Sequence, residues 1–364
     1  MSIILFVIIL GALIFVHELG HFIAAKRSGV RVDEFGIGFP PRLWKKKVGE
    51  TVYSINAFPI GGFVKIFGED PNEESLKGPD SSRSLTHRPK LIQAWIISAG
   101  VIFNLLFAWL LISLGFMVGL PYSVDDSQYG ARVKNSSLTI TQVMPLTPAE
   151  AAGLKGGDII VSLVSGKDTL TNPEVISTQN FIASHEEMEL TYRRGKDTNT
   201  VAVGGAEGFI HGRRAIGISM DNVGELKLPV HEALYVGFTT TGTITVAMAA
   251  GIFDFLKDAL IGKGTLEGIS GPVGIVGIVS DASTLGFIHV LSLAAIISIN
   301  LAIINLLPFP ALDGGRLFFL LVETIKRSPI KPEIANIANG IGFLILIAFM
   351  AFVTVNDVMK LLQG

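Results

Sequence analysis

The sequence has no cysteine among its 364 residues. Disulfide bonds and thiolate metal sites are therefore excluded, and any bound metal must use histidine, aspartate or glutamate as its side-chain ligands. Charge is also scarce, because only 16% of the residues are charged and the formal net charge is −2. Without a basic excess there is no case for a nucleic-acid partner.

What the sequence has instead is apolar content. Hydrophobic residues make up 49% of the chain, and the mean hydropathy is positive. This composition predicts a membrane protein with a polar insert. Four apolar runs are long enough to cross a bilayer as helices, at 2–25, 91–120, 285–307 and 336–356. A cleaved signal peptide is the alternative for the first run, but no Lys or Arg precedes it.

The basic residues predict the orientation in the membrane. Residues 26–90 carry twelve Lys or Arg, and residues 316–331 carry four. Basic loops tend to be cytoplasmic, so both segments are predicted inside, with the N-terminus, the C-terminus and the insert extracytoplasmic. A span at 228–262 would reverse the third helix against this charge pattern. That stretch is therefore predicted to lie along the outer membrane surface or to pack on the helices.

Four regions follow from these boundaries. They are an N-terminal membrane part at 1–121, a polar, strand-rich insert at 122–227, a membrane-surface region at 228–284 and a C-terminal membrane part at 285–364. Within the first region, the string GGFVKIFGED at 61–70 alternates apolar residues between flanking glycines. This pattern predicts a short strand or hairpin.

The first apolar run contains the pattern HELGH, with His17, Glu18 and His21. On a helix, positions i and i+4 share one face about 6 Å apart, so both imidazoles can reach one ion. Glu18 is offset by one position and can act on the attacking water without ligating the metal. Because titratable groups are costly in a span, we interpret the pattern as a site for one Zn²⁺ per chain.

A third protein ligand is needed, and the candidate is Asp313 in the string NLLPFPALDGGR. Pro308 and Pro310 must break the third helix, and irregular backbone at membrane depth is tolerated only where it is buried in protein or lines a cavity. Gly314 and Gly315 allow close backbone approach there. The alternative for Asp313 is a cap on the broken helix.

The insert contains a motif that can be parsed locally, TPAEAAGLKGGDIIVSL at 147–163. Thr147 and Glu150 predict a capped short helix, Gly153 a left-handed helix end, and 159–163 a strand. The string resembles a PDZ domain, of which we predict one copy. PDZ domains add extended peptides to a sheet edge, so peptide termini are the expected ligands.

Together, HExxH, the later N-x-x-P-x-P-x-L-D-G and the PDZ-like insert resemble the site-2 protease family, in particular intramembrane zinc metalloproteases of the RseP/RasP type. The resemblance covers nearly the whole chain. It implies a polytopic α-helical membrane protein with four transmembrane helices, a membrane-associated β element and an inserted extracytoplasmic α+β PDZ domain. It further implies a bacterial cytoplasmic membrane location, with zinc held by His17, His21 and Asp313 and with Glu18 as general base.

The same resemblance implies residues that position the substrate. They are Asn305, Asn104 in SAGVIFN at 98–104, and the strand residues Phe63, Val64, Lys65 and Ile66. Val101 stands where the family usually has proline, and helix–helix hydrogen bonding is the alternative for Asn305. The expected substrates are single-span membrane proteins already trimmed outside, such as anti-sigma factors or signal-peptide remnants.

Two other functions are compatible with parts of the pattern. A catalytically inactive PDZ receptor in the membrane would need neither HExxH nor LDG. A zinc transporter would also bury His and Asp in spans, but transporters usually show repeated halves, and the sequence shows no internal repeat. Zinc content together with a cleavage assay on one membrane peptide separates the three functions.

Overall fold

The structure is a computed structural model that describes residues 2–69, 73–126, 128–210, 213–262 and 270–363. Asp70, at the end of the predicted strand string, and residues 263–269 of the predicted surface region lie outside the described residues. The chain divides into two compact units. The first comprises residues 1–112, 237–280 and 292–364, and the second comprises 113–236 and 281–291.

The described residues form ten α-helices. They are α1 Ser2–Arg27, α2 Glu73–Lys77, α3 Lys90–Val118, α4 Pro148–Ala151, α5 Val175–Ser184, α6 Val230–Leu260, α7 Pro272–Leu285, α8 Phe287–Leu306, α9 Asp313–Lys326 and α10 Pro332–Gln363. Short 3-10 turns occur at Ser81–Arg83, Leu85–His87 and Gly130–Arg132. Helices α1 and α10 contain the predicted spans 2–25 and 336–356, and helices α3 and α8 cover all but the ends of 91–120 and 285–307.

Five of the described helices are long and apolar enough to cross a membrane, namely α1, α3, α6, α8 and α10. Helix α6 occupies the stretch that the sequence analysis placed on the membrane surface. Length and composition alone do not decide between a span and a surface position, so the count of four spans stays a prediction. The chain is a helical membrane protein that also contains β-sheet.

The predicted break after the third span is confirmed. Helix α8 ends at Leu306 and α9 begins at Asp313, with Pro308 and Pro310 between them. Proline lacks the N–H that a continuing helix needs, and its ring clashes with the preceding turn. The start of α8 is set by Gly286, whose φ of +114° is a conformation that side chains disfavour.

The loop between α1 and α3 folds as a long hairpin of β1 Val32–Val48 and β2 Thr51–Ile66. Residues 34–37 of β1 have partners on both sides, at 62–65 and at 52–55. The segment 62–66 therefore lies at an edge, with no further strand paired to it among the described residues. The predicted strand is confirmed over 61–66 and ends in a turn at 67–69.

Aromatic and small side chains hold this hairpin on α1. The ring of Phe35 lies 5.7 Å from that of Phe15 and 5.1 Å from that of Phe22. Helix α1 in turn packs closely on α3, because a Cβ at Gly20 would lie only 2.5 Å from the carbonyl oxygen of Ala99. Buried apolar residues from all three elements form one core, including Ala24, Ala25, Val32, Ile66, Ile96 and Ala99.

The second unit is built on a seven-stranded sheet. Its strands, with a separate β9–β10 pair, are β3 Leu120–Ser123, β4 Lys134–Val143, β5 Ile159–Ser165, β6 Asp168–Thr171, β7 Glu187–Arg194, β8 Asp197–Gly204, β9 Ala206–Ile210, β10 Arg213–Ala215 and β11 Ile218–Leu226. The sheet order is β3-β11-β4-β5-β7-β8, with β6 paired to β5. Its core is apolar and includes the fully buried Ile140, Leu163 and Leu190.

The local signals in the insert are confirmed. Thr147 is the N-cap of α4 with Pro148 after it, and its hydroxyl accepts from the N–H of Glu150. The Glu150 carboxylate accepts from the N–H of Leu146 rather than of Thr147. Gly153 is left-handed, with φ of +76°. A fully buried Asp158 follows, which Arg194 neutralises through two hydrogen bonds of 2.7 Å.

Candidate metal centre and active site

Two histidines of α1 and one aspartate at the start of α9 meet inside the first unit. The Nε2 atoms of His17 and His21 are 3.2 Å apart. Oδ2 of Asp313 lies 3.0 Å from Nε2 of His17 and 3.2 Å from Nε2 of His21. These are the three residues that the sequence analysis nominated as zinc ligands. They form a cluster whose ligand atoms lie within 4.8 Å of one another.

The donor set and its spacing fit a zinc ion. Ligands at about 2.0–2.1 Å from a tetrahedral ion stand roughly 3.3 Å apart, close to the observed separations. Oδ2 of Asp313 is buried and receives no hydrogen bond of acceptable geometry, although it lies within ion-pair distance of both rings. A cation shared by all three groups accounts for this arrangement, which hydrogen bonding alone leaves unsatisfied.

Helix α3 fixes the other edge of each imidazole. Nδ1 of His21 lies 2.9 Å from the carbonyl oxygen of Ile96, and Nδ1 of His17 lies 3.3 Å from the side-chain amide of Asn104. A neutral histidine that ligates through Nε2 carries its proton on Nδ1. The ring of His21 then donates to Ile96.

The side-chain amide of Asn104 can accept the Nδ1 proton of His17, as the Ile96 carbonyl oxygen does for His21. Asn104 is fully buried, and its Oδ1 has no partner as assigned. The two ends of an amide are assigned from the hydrogen-bond network, so turning it lets Oδ1 accept the proton of His17 Nδ1. The hydroxyl of Ser298 donates to the Asn104 backbone carbonyl at 2.8 Å, which fixes this turn of α3.

Close approach of α3 depends on a glycine that the sequence analysis passed over. A Cβ at Gly100 would lie 2.4 Å from Nε2 of His21 and 2.7 Å from Cε1 of His17. The rings therefore occupy the space that any other side chain at position 100 would fill. Its signal was a glycine within the apolar run of α3, four residues before Asn104, but an isolated sequence gives no reason to prefer it over other helical glycines.

A tightly folded loop carries Asp313 to the histidines. Ala311 has φ of +76°, and its N–H donates to Oδ1 of Asn339 on α10 at 3.1 Å. A Cβ at Gly314 or Gly315 would lie 2.2 Å from a carbonyl oxygen of the preceding loop. The two glycines are thus required by contact. Asn339 has no local motif that would have identified it from sequence.

Glu18 lies beside the cluster and not in it. Its carboxylate accepts a hydrogen bond from the backbone N–H of Val64 in β2. A Cβ at Gly62 would be 3.7 Å from its Cγ, so the edge segment passes directly beside the acid. The structure therefore brings together Glu18, the three candidate ligands and the predicted substrate strand.

The other predicted substrate-positioning residues lie on β2, α8 and α3. Phe63, Lys65 and Ile66 lie on the same edge segment as Gly62 and Val64, with Ile66 buried in the core. Asn305 is half-buried in the last turn of α8 and makes no side-chain hydrogen bond to the described residues. The substrate-positioning role of Asn104 stays a prediction, since the contact it makes here is to His17.

A cavity of about 150 Å³, lined by both polar and apolar side chains, lies one helical turn from the cluster. Gln93 on α3 and Arg316 on α9 line it, together with Glu69 and with Asn336 and Asn339 of α10. Arg316 forms an ion pair with Glu69, and Lys90 forms one with Glu323. Gln93 is one turn before the Ile96 carbonyl, and Arg316 is one turn after Asp313.

Comparison with known proteins decides the family. The model for peptidase family M50 matches residues 5–349. The chain belongs to peptidase family M50. Similar proteins include the zinc metalloprotease RasP of Bacillus licheniformis, 30% identical over 99% of each chain, and the regulator of sigma-W protease RasP of Bacillus subtilis strain 168, 29% identical over 99% of each.

A plant relative extends the same similarity. The chloroplastic membrane metalloprotease ARASP of Arabidopsis thaliana is 31% identical over 97% of this chain and 78% of its own length. The protein is thus a zinc-dependent intramembrane protease that hydrolyses peptide bonds within transmembrane segments of membrane proteins. Its cofactor is Zn²⁺, and its surroundings are the lipid bilayer.

Proposed function

We propose that this M50 peptidase holds its zinc with His17, His21 and Asp313 and cleaves unwound transmembrane segments with Glu18 as proton carrier. The observation that carries this assignment is the convergence of the three ligand atoms within 4.8 Å, beside a β-strand edge. When bound, zinc polarises the scissile carbonyl and makes water acidic enough to attack near neutral pH.

The proton chemistry falls to Glu18. Its carboxylate takes the proton of the attacking water and returns it to the leaving amine nitrogen, so that one acid serves both steps. The N–H of Val64 holds the carboxylate in place. Each of the two rings, of His17 and of His21, keeps its Nδ1 proton, which it donates to a group on α3. The rings therefore do not take part in this proton transfer.

The edge segment 62–66 supports a specific mode of substrate binding. A peptide bond inside an intact helix is shielded by its own hydrogen bonds, and unwinding leaves backbone groups that need partners in a dry site. An extended substrate paired with Phe63, Val64, Lys65 and Ile66 would find those partners and lie next to Glu18. Asn305, on α8, would contact the same extended segment of the substrate.

The substrates we infer are single-span membrane proteins trimmed beforehand outside the membrane. The relative from Bacillus subtilis is named a regulator of sigma-W protease, which supports anti-sigma factors as one class. Signal-peptide remnants present the same chemistry. The cavity beside Gln93 and Arg316 would admit water to the zinc from the cytoplasmic side.

The insert at 122–227 would act as a PDZ domain that receives peptide termini. A groove of about 470 Å³ in the second unit supports this assignment. Helix α5 lines it with Gln179 and Ile182, and the opposite wall includes Arg214 and Ile218. An apolar groove beside a strand, with arginine nearby, suits an extended peptide with a terminal carboxylate.

We infer a location in the bacterial cytoplasmic membrane, with the N-terminus, the C-terminus and the PDZ domain outside and the active site near the cytoplasmic face. The twelve basic residues at 26–90 and the four at 316–331 support this orientation. From its place in the chain, the PDZ domain would restrict the entry of substrates with bulky outer domains.

The decisive test of the base is Glu18→Gln. The variant should retain zinc and lose cleavage of a fluorescent transmembrane peptide in proteoliposomes, by about 10²–10⁴-fold. Glu73→Gln, at an exposed acid in α2, is the matched control and should cleave normally. Retained cleavage by Glu18→Gln would overturn the assignment.

The ligand set is tested by metal content. Asp313→Ala should lower the zinc measured per purified chain, because one of three protein ligands is lost. Asp258→Ala, at an exposed acid in α6, should leave zinc at the wild-type level. Equal zinc in both variants would mean that another residue is the third ligand.

A further inference from the structure

The β1–β2 hairpin exposes an apolar strand end that runs into a basic one. Leu43, Trp44 and Val48 are 69%, 49% and 56% exposed, although each is a large hydrophobic side chain. Lys45, Lys46 and Lys47 lie between them and are also exposed. Lysine beside tryptophan at a partly apolar surface is the composition of a membrane interface.

The three lysines are not neutralised within the described residues. The hairpin and the residues at its turn hold three acids, and each has another cation. Asp33 pairs with Arg31, Glu34 with Arg42, and Glu50 with Lys26 and Arg83. No ion pair is found for Lys45, Lys46 or Lys47. This leaves three adjacent positive charges that need an anion from elsewhere.

Contacts with α1 fix the depth of this basic strand. At one end, Lys26 of α1 donates to Glu50 at 2.6 Å. At the other, a Cβ at Gly11 would lie 3.3 Å from the carbonyl oxygen of Pro59. These two points are fifteen residues apart on α1, or about 22 Å along its axis. The hairpin therefore runs beside α1 from its end to the middle of the span.

In a bilayer spanned by α1, the lysines would fall at the level of the lipid headgroups. Lys46 lies opposite Tyr53 in the sheet. The ring centroid of Tyr53 is 6.0 Å from that of Phe22, which lies on α1 one turn before Lys26. Trp44 is two residues farther along β1, about 7 Å deeper. Headgroup layers are roughly 5–8 Å thick, so in that bilayer the lysines would lie among phosphates and Trp44 at the edge of the hydrocarbon.

We propose that Trp44 and Lys45–Lys47 form a binding site for anionic phospholipid headgroups, in the leaflet at the C-terminal end of α1. Occupancy of this site holds the hairpin on α1, and with it the edge segment 62–66 beside Glu18. Zwitterionic lipid carries no net charge and binds the site less well. This inference rests on the proposed function, because the edge segment matters only if substrate pairs with it.

Lipid contact is tested with Trp44 as the only tryptophan, in a Trp95→Phe/Trp109→Phe background. Vesicles of phosphatidylcholine would contain 20% brominated phosphatidylglycerol or 20% brominated phosphatidylcholine, and Trp44 fluorescence would be measured. We expect the anionic quencher to act as if locally enriched about tenfold. Lys45→Gln/Lys46→Gln/Lys47→Gln should abolish the preference, and Lys167→Gln/Lys196→Gln in the insert should keep it. Equal quenching by both lipids would overturn the proposal.

Function is tested in the same vesicles with an uncharged transmembrane peptide as substrate. Wild-type cleavage should rise several-fold when phosphatidylglycerol replaces a third of the phosphatidylcholine, and the triple-glutamine variant should not respond. Zinc content should be equal in both proteins. Loss of lipid response in wild type would refute the lipid site, whereas cleavage by Glu18→Gln would refute the proposed function separately. A lysine effect confined to substrates with acidic flanks would mean that the site binds peptide.

Discussion

At the scale of single residues, the two histidines are oriented by groups on α3 that are not candidate zinc ligands. Asn104 is the clearest case, because its amide is buried against Nδ1 of His17. Partners of this kind fix the tautomer and the direction of a ligand ring, and their loss typically costs 10–100-fold in metal affinity. We expect Asn104→Ala to weaken zinc binding by about that factor, as measured by competition with a chelator.

Two further variants separate orientation from packing. Asn104→Asp keeps an oxygen at the same place and should bind zinc more tightly than Asn104→Ala. Ser113→Ala removes another buried polar group from α3, far from the histidines, and should leave affinity unchanged. If Asn104→Ala and Ser113→Ala bind zinc equally well, Asn104 does not orient His17.

Gly100 sets a second requirement at this scale. In Gly100→Ala the new methyl would overlap the imidazoles of His17 and His21, which would have to move by about an ångström. Displacement on that scale degrades a preorganised site. We expect zinc content and peptide cleavage to fall together, by tenfold or more. Gly340→Ala is the matched control, since nothing lies within 4 Å of its added Cβ, and wild-type zinc in Gly100→Ala would contradict the requirement.

At the scale of secondary-structure elements, local sequence patterns predicted some features of the fold and missed others. HExxH, the prolines before Asp313 and the cap at Thr147 are signals within a few residues, and each predicted its element. Other features arise only from long-range pairing. Examples are the second set of partners for residues 34–37 and the bond from Ala311 to Asn339. No short window contains both members of such pairs, so periodicity and caps cannot reveal them.

The turn of the β1–β2 hairpin gives a prediction about pH. Hydrogen bonds from Arg83 and Lys26 lower the pKa of Glu50 to about 2. Because this folded-state pKa lies below the unfolded value of about 4.3, the stabilisation is complete above pH 4.3 and is lost as the pH falls towards 2. For a partly exposed group it amounts to about 1 kcal/mol.

Hydrogen exchange of the amides at 46–54 measures this contribution. At pH 6, Glu50→Gln should exchange about fivefold faster than wild type, after correction for the intrinsic rate. The difference should shrink between pH 4 and pH 2.5. Glu73→Gln, at an acid outside this ion-pair network, should show no difference at any pH. A difference for Glu50→Gln that is independent of pH would mean that the charge of Glu50 does not stabilise the turn.

At the scale of the whole molecule, the open question is whether α6 crosses the membrane. Phe238 of α6 stacks edge-on with Trp109 of α3, about 13 Å before the end of that helix. From Phe238, a helix running antiparallel along α3 would reach Leu260 about 33 Å farther in. The end of α6 would then lie near the opposite face of the bilayer.

Helix α7, the next described segment, limits where α6 can end. The N–H of Gly274 in α7 donates to Asp357 near the end of α10, and Ser2 at the start of α1 donates to Ser280. Asp357 is about 32 Å along α10 from Asn336, which lines the cavity near Gln93. Helix α7 therefore lies across the N-terminal end of α1 and the C-terminal end of α10, which are the ends predicted to lie outside.

A span by α6 would leave too little chain to return. Gly262 and Ser270 are eight residues apart and can be separated by about 28 Å at most. If the end of α6 lay at the far face of the bilayer, the chain would have to cover roughly 40 Å to reach α7, as judged from the lengths of the helices. Chain length thus favours four spans, with α6 inclined along the outer surface, although its composition would allow a fifth.

Labelling of single introduced cysteines tests whether α6 crosses the membrane. Because the chain has no cysteine, each introduced cysteine is its only labelling site. Lys257→Cys near the end of α6 should react with an impermeant maleimide in intact cells, as should Lys196→Cys in the insert. Lys326→Cys, at the end of α9, should react only after lysis. If Lys257→Cys instead behaves like Lys326→Cys, α6 crosses the bilayer and the prediction of four spans is wrong.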